Sequence, residues 1–256
     1  MSHQGKVAVV TGGGTGIGKA IAVKLGSQGA SVAICGRRQE PLELAVQEMQ
    51  EQGIKAWQST CDVSKLQDVE RFFSQVENEL GPVWCLVNNA GSSGVTKVSA
   101  PDFDRWDTII RSNIDSLYYA TSHALKSMPD GGRVISLSSI LGKFGVPGYT
   151  AYCTSKHAVV GFTRAVSLEL APRKITVNAL CPGWVETDMA REGMEIGARA
   201  NKTDYESFRK MALDQVPLGE MIVPDEVAEL VAYLASAAAR NLTGQSINIC
   251  GGQVMH

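Results

Sequence analysis

Val7-Ala8-Val9-Val10-Thr11-Gly12-Gly13-Gly14-Thr15-Gly16-Ile17-Gly18 is the stretch that decides the fold. Four consecutive apolar residues suit a strand covered on both faces. A glycine-rich turn follows, after which Ile17, Ile21 and Leu25 recur at helical spacing. Strand, glycine turn and helix together form the opening unit of a doubly wound α/β fold. Glycines here allow a tight turn and let a phosphate approach the main chain. The helix N-terminus adds unpaired N–H groups and a partial positive charge. The spacing Gly12-x-x-x-Gly16-x-Gly18 is not the G-x-G-x-x-G fingerprint. Gly13-x-x-x-x-Gly18-Lys19 comes close to a P-loop, but Ala20 lacks the hydroxyl that magnesium needs.

Working outward, further apolar runs lie at Ser31–Cys35, Val83–Val87, Val134–Leu137, Ile175–Leu180 and Ser246–Cys250. Helical patterns separate them. Leu42, Ala45, Val46 and Met49 form one stripe, with Pro41 in its first turn and Gly53 as its stop. Leu66, Val69, Phe73, Val76 and Leu80 form another, opened by a capping box Ser64-x-x-Gln67. Helices are also expected around 103–127, 152–170 and 224–235. The alternation predicts a Rossmann-like doubly wound three-layer α/β fold, with a mostly parallel sheet of about seven strands. One dinucleotide-binding catalytic domain over 1–256 is expected, with no linker or repeat. Residues 186–215 mix methionines, aromatics and charges without a strong period, and suggest either a substrate lid or a surface helix pair.

Composition narrows the function classes. The chain has 256 residues, 26 of them glycine, a little above the usual share of about 7%. Twenty-four basic against 26 acidic residues leave a net charge of −2, without the basic excess of a nucleic-acid-binding face. No apolar run approaches the roughly 20 residues of a membrane-spanning helix. The opening Met1–Lys6 has no signal-peptide layout. Six dispersed cysteines without a Cys-x-x-Cys pair suggest a reducing, cytoplasmic location. Four histidines show no metal spacing, so no metal is expected, and no Gly-x-Ser-x-Gly elbow marks a serine hydrolase.

Two local patterns carry chemistry. The second strand ends Cys35-Gly36-Arg37-Arg38, with two cations where a ribose-binding carboxylate is common. Guanidinium forks suit a 2′-phosphate, so NADP(H) is the expected cofactor. Tyr152 and Lys156 lie one helical turn apart on the same face. A nearby ammonium favours the phenolate of a tyrosine that ordinarily titrates near 10. Ser138-Ser139, Asn88-Asn89-Ala90-Gly91 and Cys181-Pro182-Gly183-Trp184 each follow a strand, where α/β sheets place their ligand crevice.

Taken together, Thr11-Gly12-x-x-x-Gly16-x-Gly18, Asp62-Val63, Asn88-Asn89-Ala90-Gly91, Asn113, Ser139, Tyr152-x-x-x-Lys156 and Pro182-Gly183 resemble the short-chain dehydrogenase/reductase family over essentially the whole chain. The resemblance implies reduction of a ketone by NADPH, with Tyr152 as general acid/base and Ser139 polarising the carbonyl. Ser139 rather than Ser138 stands thirteen residues before the tyrosine, as is usual in the family. Lys156 would hold the nicotinamide ribose and lower the tyrosine pKa, and Asn113 would support a proton-relay water. Asp62 would contact the adenine, Asn89 the adenosine side and Thr187 the carboxamide, with Val63, Ala90 and Gly91 also in the implied cofactor set. Gly12, Thr15, Gly16, Ile17, Gly18, Arg37, Arg38, Pro182, Gly183 and Val185 complete the implied cofactor set. Phe144, Trp184 and Met189 either line the substrate pocket or simply pack.

Cys250-Gly251-Gly252 replaces the family's frequent Asp-Gly-Gly ending. With the long segment 186–215, it resembles ketoreductases of aromatic polyketide assembly. A 3-oxoacyl, polyketide or similar ketone, free or carrier-bound, is the implied substrate. An acyl carrier protein is a candidate partner, which Lys97, Lys143, Arg191, Arg199 and Lys202 would meet. A homotetramer or homodimer is expected, with the stripe Phe103, Trp106, Ile109, Ile110 either at an interface or against its own sheet. The alternatives are a non-catalytic NADP-binding sensor and an alcohol dehydrogenase working oxidatively.

Overall fold

The structure, a computed structural model, describes residues 3–256. Its strands are β1 (Val7–Thr11), β2 (Ser31–Gly36), β3 (Ala56–Thr60), β4 (Val83–Asn88), β5 (Arg133–Leu137), β6 (Thr176–Pro182) and β7 (Ser246–Ile249). They form one sheet in the order β3-β2-β1-β4-β5-β6-β7, and every pairing is parallel. The expected "mostly parallel" sheet is therefore wholly parallel. Strand order reverses between β1 and β4, the switch point at which such sheets open a crevice beyond their C-terminal ends. β1, β4, β5 and β6 are buried along their full length, and β1 and β4 accordingly read as apolar runs up to their last residue.

The crossovers are α1 (Gly16–Ser27), α2 (Gln39–Glu51), α3 (Leu66–Glu79), α4 (Phe103–Ile110), α5 (Ser116–Ser127), α6 (Thr150–Leu170), α7 (Asp188–Ala200), α8 (Tyr205–Leu213) and α9 (Pro224–Ala235). Two layers of apolar side chains cover the sheet. On one face Ile21, Leu25, Leu42 and Met49 pack with Val227 and Val231. On the other, Val69, Phe72, Phe73 and Val76 pack with Ala120, Ala124 and Val166. All six cysteines are free, and only Cys153 is not fully buried.

Two local expectations are corrected, and the segment 186–215 takes a definite form. The capping box at Ser64 does not form. Lys65 takes the N-cap position without a side-chain bond, and Ser64 is turned to Asp62 instead, giving Asp62 Oδ1 both its hydroxyl at 2.7 Å and its main-chain N–H at 3.2 Å. The helix expected over 103–127 is divided by a π-helical turn, Arg111–Asp115. Ile109 there turns inward and is fully buried, whereas Phe103 is 78% exposed and Trp106 36%. Residues 186–215 form the helix pair α7 and α8, with Met194, Ala198 and Ala212 buried. Gly197 is where the two helices meet, since a Cβ there would lie 2.2 Å from the Phe208 ring.

Candidate active site

The glycine turn is held by residues far away in sequence. Gly12 has φ of +66°, and a Cβ on it would press Ala90 Cα and Asn89 Nδ2 at 3.0 Å. The Asn89 side chain donates to the carbonyls of Thr11 at 2.9 Å and Gly12 at 3.2 Å. The Thr11 hydroxyl in turn accepts the N–H groups of Asn89 and Ala90. Gly18 sits so close that a Cβ would lie 2.2 Å from the Gly12 carbonyl oxygen. No side chain caps α1, so its leading N–H groups point from a braced cradle with donors to offer. An anionic pyrophosphate fits that chemistry. Thr187 caps α7 and its methyl carbon approaches the Cβ position of Gly16 at 3.3 Å, which places the start of α7 over the turn. Ile17 is half-buried beside it and Thr15 exposed.

Arg37 is exposed and lines a groove with Asp62, Ser64, Asp104, Asp107, Thr108, Arg111 and Ser112. Arg111 leans towards Asp107 at 3.8 Å and Lys65 towards Asp62 at 3.9 Å, while the Arg37 guanidinium carries no ion pair among the described residues. Arg38 is the N-cap residue of α2 and is not part of that lining. Asp62 lies at the groove, with Val63 half-buried next to it. Beyond β6, Gly183 N–H donates to Ile249 O at 2.8 Å, and Val185 pairs with Ile222.

At the rim of β5 and β6 the reactive groups meet. Ser138 and Ser139 separate clearly. The Ser138 hydroxyl is spent on the Lys156 carbonyl at 2.8 Å, whereas the Ser139 hydroxyl, which accepts Leu141 N–H at 3.1 Å, faces the Tyr152 phenol and favours its ionised form. Burial pushes that phenol up to about 12, against the pull of Ser139. Lys156 is 6% exposed; its Nζ donates to Leu137 O at 2.8 Å and lies 5.5 Å from the Tyr152 ring centre. Burial draws this ammonium down to about 8, with the Cys181 thiol opposing weakly. Asn113, in the π-helical turn, donates to Ser92 O and Ser155 Oγ at 2.9 Å and accepts Ser92 N–H at 2.7 Å. Its amide is thus engaged in bracing the β4 loop against α6. Gly91 is the point of closest approach, with a Cβ position 3.0 Å from Asn113 Oδ1 and 3.7 Å from Lys156 Nζ.

The expected substrate residues divide. Trp184 is half-buried, its ring beside Gly193 of α7, and Met189 is 47% exposed at the start of that helix. Phe144 packs with Ile140, Cys250 and Val254, which accounts for it without a ligand. The Cys250 thiol is itself engaged, accepting Val254 N–H at 3.3 Å. Ser92, Ser155, Arg105 and Thr96 belong to the site's frame but carry no local sequence signal, because their partners lie many residues away.

The chain matches the short chain dehydrogenase family over residues 6–195. It is 39% identical over 255 residues to a "putative ketoacyl reductase" of Streptomyces coelicolor, covering 98% of both chains. It is 35% identical over 257 residues to a 3-oxoacyl-(acyl-carrier-protein) reductase of Pseudomonas aeruginosa, covering 100% of both. Its fold superposes with a TM-score of 0.94, at 40% identity over 99% of each chain, on a point-substituted actinorhodin polyketide ketoreductase crystallised with NADPH.

Proposed function

The chain belongs to the short-chain dehydrogenase family and is an oxidoreductase, and we propose that it reduces a 3-oxoacyl, polyketide or similar ketone to a secondary alcohol with NADPH. The observation that carries this reading is the Tyr152 ring 5.5 Å from the Nζ of the buried Lys156, at the rim where Ser139 follows β5. At neutral pH the phenol is protonated, so Tyr152 holds the proton that a carbonyl oxygen receives. Ser139 holds that oxygen by its hydroxyl. Lys156 is mostly charged below about 8 and offsets the phenolate left after proton transfer. The braced glycine cradle, Arg37, Asp62 and Thr187 are the residues that would hold the dinucleotide. When bound, the cofactor supplies the hydride that the carbonyl carbon accepts. Oxidation of the alcohol uses the same groups in reverse.

The two relatives named reductases support a ketone acceptor, and the NADPH complex of the structural neighbour supports the phosphorylated cofactor. A carrier-bound acyl chain is the proposed form of substrate, with an acyl carrier protein as partner. Among the cations that would meet it, Lys143 already donates to Ser246 O and His256 O at 3.2 Å. Arg191 leans towards Glu195 at 3.7 Å. That leaves Lys97, Arg199 and Lys202, all exposed. The α7–α8 pair forms the proposed lid over 186–215, in the one domain that spans 1–256. The outward Phe103, Trp106 and Tyr118, the last 62% exposed, are the proposed surface of a homodimer or homotetramer. No helix of the described residues is long and apolar enough to cross a membrane.

NADPH consumption with carrier-bound, coenzyme-A-bound and free ketones tests the function. Turnover is expected with at least one class. Tyr152→Phe is expected to lower kcat by at least about 10³-fold, within the range of general acid catalysis, while NADPH still binds. A fully active Tyr152→Phe overturns the proton-donor assignment. NADPH binding without turnover on any ketone returns the chain to the non-catalytic sensor reading.

A further inference from the structure

Tyr152 stands in the first turn of α6, whose N-cap residue is Tyr149. First turns fray, because their leading N–H groups find no acceptor within the helix. A Ser, Thr, Asp or Asn at the N-cap usually supplies one, but the Tyr149 side chain makes no cap bond. The acceptor comes from outside the helix. Thr96 Oγ1 accepts the N–H of Ala151, the residue before Tyr152, at 2.9 Å and across 55 residues of chain. The main chain of Thr96 grips the same turn on two more sides. Its N–H donates to Gly148 O at 2.6 Å, and its carbonyl accepts Thr150 N–H at 3.4 Å, in a parallel bridge to Tyr149. Thr96 is 5% exposed.

The loop that delivers Thr96 is itself fixed. It leaves β4 at Asn88, and Asn113 takes both main-chain polar groups of Ser92. Arg105 Nη2 donates to Ser93 O at 2.7 Å. Gly94, at φ of +154°, admits that guanidinium where a Cβ would meet it at 2.2 Å. One rigid loop therefore runs from Gly91, beside Lys156, to the start of the helix that carries Tyr152.

We propose that Thr96 is a positioning residue for the reduction: it holds the first turn of α6 from outside so that the Tyr152 phenol stays against Ser139. The proposal rests on the reading of Tyr152 as proton donor. A misplacement of about 1 Å in a reacting group can cost on the order of 100-fold in rate, so a frayed first turn weakens kcat more than it weakens binding.

Thr96→Val removes the hydroxyl at nearly constant volume, and Thr96→Ser keeps it. The expected result for Thr96→Val is a kcat roughly 10- to 100-fold lower, with the Kd for NADPH unchanged. Thr96→Ser is expected to restore kcat to near the original value. Amide hydrogen exchange at Ala151, Tyr152 and Cys153 is expected to quicken in the valine variant, while exchange in α1 stays as it was. A valine variant with unaltered kcat overturns the proposal. So does one that loses kcat, NADPH affinity and melting temperature together, which marks a general structural residue. If valine prevents folding, Thr96→Ala is read in the same way, and failure of both to fold also overturns it. Exchange at the first turn needs no turnover. A fully active Tyr152→Phe therefore sinks the proton-donor reading, whereas unchanged exchange in Thr96→Val sinks the cap.

Discussion

At the start of α1 the leading N–H groups meet no side-chain acceptor among the described residues, Thr15 at the N-cap included; at the start of α6 the Ala151 N–H is taken by a threonine from another loop. Neither helix caps itself. The first keeps its donors and lies over a glycine turn, the arrangement of an anion cradle. The second gives a donor up, and in return the phenol one residue later has a fixed place. Two copies of the same unsatisfied end thus meet opposite fates, and on the proposed reading one binds and the other positions. The destination of the orphan donors decides which.

That contrast breaks most severely at Gly18. Gly18→Ala sets a Cβ against the Gly12 carbonyl oxygen and Asn89 Nδ2, both at 2.5 Å or less, where neither neighbour is free to retreat. Overpacking of this kind costs up to about 3 kcal/mol, so NADPH affinity is expected to fall about 100-fold in a fluorescence titration. Affinity within threefold of the original would show that the cradle tolerates what its geometry forbids.

At the α6 end, Lys156 sharpens the comparison through pH. Its ammonium is drawn from the ordinary 10.5 down to about 8 by burial. The unfolded chain therefore holds this proton more tightly than the folded one. The lysine's contribution to stability is fully present above about 10.5 and is lost as pH falls through about 8. Against Lys156→Met, the unsubstituted protein without cofactor is expected to gain up to ~3 kcal/mol between pH 7.5 and 10.5. Urea unfolding of both chains across that range measures the gap, and a gap that stays constant contradicts the assigned burial.

The smallest effect is expected at Arg37, which the cradle does not need for the pyrophosphate. A charge-assisted hydrogen bond is worth roughly 1.5–3 kcal/mol. Arg37→Ala is therefore expected to weaken NADPH by about 30-fold and leave NADH nearly unchanged. Equal losses for both cofactors would remove the arginine from any discrimination between them.

The binding end was the more legible of the two in the sequence, for a physical reason. Strand, glycine turn and helix are contiguous from Val7 to Gly18, and full burial of β1 writes itself as an apolar run. Tyr152 and Lys156 are likewise visible, because a helix brings residues four apart onto one face. The frame around them is long-range. Thr96 meets Ala151 across 55 residues and Asn113 meets Ser155 across 42, with no periodicity to announce either. β3 had no apolar run to reveal it, since at the sheet's edge only Ala56 is buried. The π-helical turn at Arg111–Asp115 was hidden because the residues on either side keep a helical pattern. At Ser64 the propensity was right and the partner wrong, as one Asp62 oxygen takes both the Ser64 hydroxyl and the Ser64 N–H.

The brace on the glycine turn also has a consequence in time. Its covalent parts end at Gly18, but Asn89 holds it from 78 and 77 residues further on, and Thr187 arrives over Gly16 only after β6. A chain growing from its N-terminus has thus made the turn long before it has made what shapes it. Such dependence on distant pairing slows folding. The last of these contacts, Thr187, exists only when some three-quarters of the 256 residues have been made, so the cradle takes its full shape late in synthesis.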